Sequence, residues 1–290
     1  MQKPTPSPLK ISTITATAKL DVQVDLDVFF DRLEVWDTNG TDGTNSANNY
    51  FEYAEFGAKK GEARCKPDAG LLGKSKLTRN KNGVPRRGAK EKKRFDNQVT
   101  VVVRYDGGAQ KANAKVFRNG HIQITGLKTV EGGKHVVGIL QNALQRMAFV
   151  DHPITCHDFK IRLINSDFRI GFEVRRDVLK RLMAHSYGVL CSFEPCIYPG
   201  CKIEYWYNNG NRDRDGRCKC MKKCTGKGIG DGDGSCKKVT IAVFHSGSVI
   251  ITGGQSKEQI DEAYAFICRS LMDNYDDVRK IKSTVPIFLV

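Results

Sequence analysis

The sequence predicts an α+β fold made of two tandem repeats, because two segments of the chain nearly repeat each other. They read KVFRNGHIQITGLKTVE over residues 115–131 and AVFHSGSVIITGGQSKE over residues 242–258. The equivalent glycines, Gly120 and Gly247, are separated by as many positions as the equivalent threonines, Thr125 and Thr252. A tight turn between apolar, β-prone residues is typical of a hairpin, so the same hairpin is expected twice.

The elements around the first hairpin follow a recognisable order. KISTITATAKL (10–20) alternates polar and apolar residues as a strand does, and helical spacing follows over residues 26–33. QVTVVVRY (98–105) is strongly β-prone and leads into the hairpin. Apolar residues at helical spacing over 129–149 then predict a helix.

The same order recurs in the second half. The segments are DFKIRLINSDFRIGFEV (strand), RRDVLKRLMAHS (helix), CSFEPCIYPGCKIEYWY (strands around a Pro-Gly turn), KVTIAVFHSGSVIITGG (hairpin) and SKEQIDEAYAFICRSLMDNY (helix). A recurring unit of this size predicts a pseudo-two-fold domain.

The composition favours a polyanionic partner. The formal net charge is +15, concentrated in the basic stretch before residue 95. The alternative is a solvated basic loop with no dedicated ligand. Apolar residues make up 40% of the chain, and no run reaches the roughly 18 to 20 residues of a membrane span. The N-terminus lacks a secretory signal, so we expect an intracellular protein with reduced cysteines.

Composition shifts suggest the boundaries of the repeats. We expect a disordered arm at 1–8, repeat 1 at 9–152 with a basic insertion at 38–94, repeat 2 at 153–280 with a Cys- and Gly-rich insertion at 208–238, and a tail at 281–290. The basic insertion is expected to contact phosphates, and RRGAKEKKR within it could also act as a nuclear-import signal.

These motifs resemble the TATA-binding protein family, in a divergent form similar to those of large DNA viruses. FRNGHIQITGLK and FHSGSVIITGGQ resemble the family's paired Phe-x-Ser-Gly-Lys-x-x-x-Thr-Gly-Ala-Lys segments, and SFEPCIYPG resembles its stirrup, Ser-Tyr-Glu-Pro-Glu-Leu-Phe-Pro-Gly. The resemblance implies a saddle of curved antiparallel β-sheet with helices on the convex face. Its concave face would bind double-stranded DNA in an A/T-rich minor groove, and aromatic wedges would kink the duplex.

The resemblance also implies the contact residues. The wedge positions are Phe95, Phe117, Tyr198 and Phe244. The remaining concave-face positions are Leu9, Ile11, Gln123, Thr125, Leu163, Asn165, Ile250 and Thr252. The family's two central asparagines align with Leu9 and Leu163, while Asn165 lies two residues further on. Strict TATA preference is therefore not carried over.

Other implied partners are the B-type initiation factor and the RNA polymerase machinery. In the family, acidic stirrup residues meet the B-type factor. Glu194 is retained here, whereas the second family glutamate is replaced by Cys196.

Four cysteines in the second insertion predict a metal site. Cys218, Cys220, Cys224 and Cys236 could supply the tetrahedral thiolate ligands of one structural zinc ion. The alternative is a flexible loop with free thiols. Cys191, Cys201 and Cys268 lie in strand or helix patterns and are expected to be core residues.

Three functions remain open from the sequence. The first is a minor-groove-binding initiation factor, and the second is an architectural or packaging protein that bends DNA without reading its sequence. The third is an enzyme, since similar folds accompany nuclease and glycosylase domains, but the six histidines form no metal or triad spacing. We therefore expect no enzymatic activity. The expected location is a nucleus or a viral replication site, with a virion as a further alternative.

Overall fold

In the computed structural model, the described residues are 3–35, 49–57, 63–66 and 97–281. Contacts divide the chain into two units: a first unit, Ile14–Ile161, and a second unit, Met1–Thr13 together with Arg162–Val290. Strands alternate buried and half-exposed residues in both units.

The first unit is an antiparallel sheet with two helices. In chain order it contains β1 (Lys10–Leu20, whose first residues belong to the second unit), α1 (Leu26–Arg32), β2 (Tyr50–Gly57), β3 (Ala63–Lys66), β4 (Gln98–Tyr105), β5 (Gln110–Phe117), β6 (His121–Leu127) and α2 (Val130–Arg146). The strand order is β3-β2-β4-β5-β6-β1. Helix α2 packs on β4 and β6 through Val136, Leu140 and Leu144, which are fully buried.

The second unit is also an antiparallel sheet with helices packed on it. It contains β7 (Cys156–Arg169, whose first residues belong to the first unit), α3 (Arg176–His185), β8 (Cys191–Ser192), β9 (Cys201–Tyr207), β10 (Lys237–Val243), β11 (Ser248–Gly254), α4 (Lys257–Asp273) and α5 (Tyr275–Val278). The strand order is β7-β11-β10-β9-β8, and α4 packs on β9, β10 and β11. The predicted α+β class, with antiparallel strands backed by helices, is confirmed.

The two hairpin turns have the same geometry. Gly120 has φ +78° and Gly247 has φ +79°, in the left-handed region that a glycine adopts readily. A Cβ at Gly120 would lie 2.4 Å from the carbonyl oxygen of Val22, and one at Gly247 would lie 2.2 Å from that of Phe172. The glycine carbonyls accept from the end of the neighbouring long strand, at Leu20 and at Ile170, both at 2.9 Å. The glycine in each copy of the motif is therefore required by a positive φ and by a close backbone approach.

The long helices start alike. The Thr129 hydroxyl accepts from the Gly132 amide at the start of α2, and the Ser256 hydroxyl accepts from the Gln259 amide at the start of α4. Gln259 also reaches back to the Ser256 amide, which completes a capping box. These caps fix where the chain leaves each hairpin and enters its helix.

The segment 38–94 differs from the expected insertion. Two strands, β2 and β3, lie within it, and β2 pairs with β4 along its length. Phe51, Ala54 and Phe56 of β2 are buried. The segment YFEYAEFG is therefore a strand of the sheet, and its apolar side chains belong to the core. Apart from Asn49, the rest of this segment, including RRGAKEKKR, lies outside the described residues, and so does Phe95.

The N-terminal arm also differs from the expected disorder. Within residues 3–9, the Ser7 amide donates to the Arg169 carbonyl at 2.8 Å, and the Ser7 hydroxyl accepts from the Arg169 amide at 2.9 Å. Tyr264 donates its hydroxyl to the Ser7 carbonyl at 3.0 Å. These bonds order the arm by pairing it with the end of β7 and with α4.

Candidate functional site

Among the described residues, the helices pack on one face of each sheet, and the opposite face, here called the open face, carries most of the predicted contact residues. In the first unit, β6 buries Ile122 and Ile124 and leaves Gln123 and Thr125 half-exposed. The strand register places Gln123 between Thr17 of β1 and Lys115 of β5. This open face is thus lined by short or flexible polar side chains.

The open face of the second unit carries Asn165 and Thr252 side by side. They are register partners on β7 and β11, and the Thr252 hydroxyl donates to the Asn165 side-chain oxygen. The next row contains Ile250, which is 37% exposed and pairs with Ala242 on β10. The structure therefore brings three predicted contact residues, Asn165, Ile250 and Thr252, onto one surface.

Two predicted wedges, Tyr198 and Phe244, stand together in the second unit. Their ring centroids are 5.8 Å apart with the ring planes inclined at 60°. Gly200 lies directly against both rings, because a Cβ there would be 2.6 Å from Tyr198 Cε1 and 3.2 Å from Phe244 Cε1. Lys202 Nζ lies 4.3 Å from the Tyr198 ring centroid. The rings are half-exposed and held by neighbours rather than buried in the core.

One of the wedges predicted for the first unit lies within the described residues. Phe117 ends β5, is half-exposed and pairs with Gln98 of β4. The other predicted wedge of this unit, Phe95, lies outside the described residues. Of the remaining predicted positions, Leu9, Ile11 and Leu163 are half-buried.

Two acidic residues also lie among the open-face positions of the second unit, and sequence reasoning missed them. Glu204 of β9 is paired with Lys238 Nζ at 3.0 Å. Asp167 of β7 accepts from the Ser12 hydroxyl. The alternation in CKIEYWY and NSDFR is the signal that could have placed both acids on this face. The Lys238 ammonium offsets the charge of Glu204, whereas the Ser12 hydroxyl leaves the charge of Asp167 in place.

The stirrup between β8 and β9 combines an acid with an exposed apolar residue. Glu194 is exposed and lies 3.6 Å from Lys180 Nζ on α3. Ile197 has 86% of its surface exposed. The loop is braced from beneath by Arg176, whose guanidinium lies 4.7 Å from the Phe193 ring centroid and donates to the Pro199 carbonyl. Ile197 was not predicted, although its position between Cys196 and Tyr198 in the stirrup could have drawn attention to it.

The four predicted metal ligands form one cluster. The Sγ atoms of Cys218, Cys220, Cys224 and Cys236 all lie within 4.8 Å of one another. Cys220 and Cys236 are 3.3 Å apart, and Cys218 and Cys236 are 3.8 Å apart. Tetrahedral zinc with Zn–S bonds of about 2.3 Å holds its sulfurs about 3.8 Å apart, so these residues fit a metal ion.

The environment of the cluster differs from thiol to thiol. Burial raises the pKa of Cys236 and of Cys218. Burial also acts to raise the pKa of Cys224, but backbone amides of Gly226 and Cys236 donate to its sulfur and lower the pKa overall. Asn208 donates its amide to Cys236 Sγ at 3.5 Å, as an outer-sphere partner of a metal-bound thiolate would.

Backbone contacts hold the cysteine-bearing loop in place. Asp233 accepts from the Met221 amide at 2.7 Å, Asn208 donates to the Gly232 carbonyl at 2.7 Å, and Gln259 of α4 donates to the Ile229 carbonyl at 2.8 Å. The loop is therefore a packed structure anchored to α4.

The family comparison matches the second hairpin. Residues 233–274 match the family model described as transcription factor TFIID, or TATA-binding protein, TBP. These residues span β10, β11 and all of α4, including Phe244, Ile250 and Thr252. The resemblance to the TATA-binding protein family is confirmed.

Proteins named as TATA-box-binding or TATA-box-binding-like that are similar to this chain come from a virus and from a plant. The chain is 28% identical over 295 residues to the TATA-box-binding protein-like protein of Acanthamoeba polyphaga mimivirus, covering 93% of this chain and 67% of that protein. It is 26% identical over 154 residues to TATA-box-binding protein 1 of Triticum aestivum, covering 53% of this chain and 51% of that protein. The chain thus spans about half the length of the wheat TATA-binding protein.

A solved structure is also similar. The Methanococcus jannaschii TBP matches with a TM-score of 0.47 and 17% identity, over 92% of this chain and 99% of that one. Among the described residues, no helix is both long and apolar enough to cross a membrane.

Proposed function

We propose that this protein is a transcription initiation factor that binds the minor groove of A/T-rich promoter DNA and bends it by inserting aromatic wedges. The observation that carries the proposal is the open face of the second unit. There the Tyr198 and Phe244 rings lie at one end of the sheet and the Asn165–Thr252 pair lies further along β7 and β11. It acts by binding, without a catalytic step.

The polar residues suit the chemistry of the minor groove. An A·T pair presents only acceptors there, adenine N3 and thymine O2. Because the Thr252 hydroxyl donates to the oxygen of Asn165, the amide nitrogen of Asn165 remains as the donor of that side chain. Gln123 on β6 of the first unit offers a second amide.

The paired rings of Tyr198 and Phe244 are suited to insertion between base steps, which bends the duplex. Inserting apolar side chains between base steps costs a few kcal/mol per step in unstacking, and this cost is offset by the larger contact with a bent duplex. Rings already held by Gly200 and Lys202 lose little conformational freedom on insertion.

Net charge supplies the remaining affinity. The formal charge of +15 favours association with the phosphate backbone, with a steep dependence on salt. Lys202 and Lys115 are placed among the open-face residues of their units, where they can reach phosphates.

The alternative is an architectural or packaging protein that bends DNA without sequence preference. It is favoured by Leu9 and Leu163 at the family's central asparagine positions and by the acids Glu204 and Asp167. With fewer amide donors, the discrimination of A·T from G·C pairs would weaken while wedge insertion persisted.

The organisation of the chain is part of the proposal. We infer a tandem duplication, with repeat 1 at 9–152 and repeat 2 at 153–280. The matching φ angles and backbone contacts of Gly120 and Gly247 support it. The protein would act in a nucleus, at a viral replication site or in a virion.

The cysteine cluster is proposed to hold one structural zinc ion. When bound, zinc would supply four bonds in place of the thiol contacts and keep the β9–β10 connection folded. Stoichiometric zinc in the purified full chain, lost in each single Cys→Ser variant of the four ligands, is the expected result. A protein that retains no metal would contradict the site.

The stirrup is proposed to contact a B-type initiation factor and, through it, the polymerase machinery. Glu194 offers an exposed acid and Ile197 an exposed apolar side chain on the same loop. Charge reversal at Glu194 would weaken that contact without changing DNA binding.

The function is tested with short duplexes carrying a dye at each end, one A·T-rich and one G·C-rich, at several salt concentrations. Tight A·T-selective binding with shortening of the end-to-end distance is expected. Phe244→Ala should reduce both binding and bending. Phe172→Ala is the matched control, because Phe172 is also half-exposed but packs edge-on against Tyr275 at 4.9 Å. Equal binding and bending of both duplexes would support the architectural alternative, and absence of bending would overturn both.

A further inference from the structure

Two cysteines outside the metal cluster face each other at the base of the stirrup. Cys191 lies in β8, the two-residue edge strand, and Cys201 begins β9. Their Sγ atoms are 3.1 Å apart. Cys201 is buried and Cys191 is half-buried, so one of the two thiols is reachable from solvent.

The strand register explains why the thiols converge. Cys191 pairs with Ile203, so Cys201 is its diagonal neighbour on β9. Diagonal neighbours on antiparallel strands are within reach of longer side chains. The backbone pairing of β8 with β9 ends at Ser192 and Lys202, so no ladder hydrogen bond fixes Cys201 opposite β8 and its sulfur can approach that of Cys191.

We propose that Cys191 and Cys201 form a reversible intrachain disulfide when the protein meets a peroxide, closing a covalent ring at the base of the stirrup. The Cys191 thiolate attacks one oxygen of hydrogen peroxide, the O–O bond breaks, and Cys191 becomes a sulfenic acid as hydroxide leaves and is protonated to water. The Cys201 sulfur then attacks the Cys191 sulfur. The S–S bond forms, the S–O bond breaks, the thiol proton is lost and a second water is released. Two thiols are oxidised and one peroxide is reduced.

The surroundings of the two thiols favour Cys191 as the thiol that peroxide oxidises first and Cys201 as the thiol that then forms the disulfide. The hydrogen bond from the Cys201 thiol lowers the pKa of Cys191, and the nearby Lys180 ammonium acts in the same direction. The same hydrogen bond and burial raise the pKa of Cys201. A half-exposed, low-pKa thiol beside a resolving thiol is the arrangement that favours disulfide formation over further oxidation.

The ring would hold the loop that carries the stirrup residues. Before oxidation, β8 is attached to the sheet by the backbone pairing of two residues with β9. The disulfide would tie residues 192–200, including Glu194 and Tyr198, to the start of β9. Since Gly200 lies against the rings of Tyr198 and Phe244, the disulfide would also restrain the wedge pair. This last consequence rests on the proposed function.

The test uses the zinc-loaded, fully reduced full chain, so that the metal protects the four cysteines of the cluster. The protein is titrated with hydrogen peroxide, free thiols are alkylated, and peptides are mapped by mass spectrometry. We expect one dominant cross-link between the peptides of Cys191 and Cys201, which is reversed by a dithiol reductant. Chymotrypsin should cut the stirrup after Phe193 several-fold more slowly after oxidation.

Cysteine-to-serine variants test whether the cross-link needs both Cys191 and Cys201. Cys191→Ser and Cys201→Ser should each abolish the cross-link, whereas Cys268→Ser should keep it, because burial raises the pKa of Cys268 to about 11 and the cysteine lies on α4. Retention of both alkylatable thiols at peroxide levels that oxidise a free cysteine would overturn the proposal. So would sulfinic acid at Cys191 without a cross-link. These outcomes are read without DNA, so they are independent of the proposed function.

A second arm tests the restraint on the wedges. The dissociation rate of the A·T-rich duplex is compared before and after oxidation, and slower dissociation of the oxidised protein is expected. An unchanged rate would overturn the restraint and leave the disulfide standing. Failure of the reduced protein to bind DNA would count against the proposed function alone.

Discussion

Replacing Gly200 by alanine should separate DNA bending from folding. A Cβ at this position would meet Tyr198 Cε1 at 2.6 Å and Phe244 Cε1 at 3.2 Å, both shorter than ordinary carbon contacts of about 3.5 Å. The Tyr198 ring must therefore move by roughly 0.9 Å to reach that contact distance. Gly200 is not among the positive-φ glycines, so its backbone accepts alanine.

The substitution of Gly200 should change the free energy of unfolding only slightly and the affinity for DNA strongly. An aromatic pair contributes about 0.5 to 1.5 kcal/mol, so displacing half-exposed rings should lower the free energy of unfolding by about 1 kcal/mol or less. Stacking of a base on an aromatic ring contributes about 1 to 3 kcal/mol, so a misplaced wedge pair should weaken DNA binding about 5- to 150-fold.

The assay combines urea unfolding with the end-labelled duplex. Gly138→Ala is the matched control, since a Cβ there meets nothing within 4 Å and Gly138 lies within α2. The control should bind and bend the duplex as the wild type does, with equal or greater stability. Wild-type affinity and bending in Gly200→Ala would refute the placement of these rings against DNA. A large loss of stability would refute the claim that the rings are supported but not part of the core.

Three further predictions concern the turn, the metal and acid stability. Gly247→Ala should lower the free energy of unfolding by about 2 to 4 kcal/mol in a urea titration, because a left-handed alanine costs about 1 to 2 kcal/mol and its Cβ would also clash with the Phe172 carbonyl; a loss below about 1 kcal/mol would contradict the φ and contact argument. Chelation of zinc should expose the loop amides to hydrogen exchange and leave the α2 amides protected, and Cys236→Ser should behave likewise without chelator; equal protection with and without metal would count against the site. Hydrogen bonds from neighbours including Arg217 outweigh burial and hold the pKa of Asp215 below its usual range, so this carboxylate contributes stability at pH values above about 4 that is lost on further acidification. Urea unfolding from pH 6 to pH 2 should show a steeper acid loss in the wild type than in Asp215→Asn, and parallel curves would contradict it.

Much of the local structure could be predicted from the sequence because it depends on nearest neighbours. Apart from β2, β3 and the short α5, the order of strands and helices in each unit followed from periodicity, and the turns at Gly120 and Gly247 followed from the repeated tight-turn pattern. The spacing of four cysteines was enough to predict one cluster, since a short loop keeps its ligands close. Gln123, Thr125 and Thr252, which the family resemblance placed on the concave face, are half-exposed on β6 and β11, and their contact with DNA stays a prediction.

Contacts between distant segments required the tertiary structure. β2 and β3 were missed because their pairing with β4 crosses a long basic segment whose composition indicates a loop. The contact of Tyr198 with Phe244 and the approach of Cys191 to Cys201 depend on how strands pair, and a register shift of one residue would remove both. The partners of the acids Glu204 and Asp167, which are Lys238 and Ser12, are known only once the strands are aligned. The sequence by itself therefore determined the elements and their turns, whereas the tertiary structure decided which side chains meet, because register and long-range pairing are set by the packing of the whole sheet.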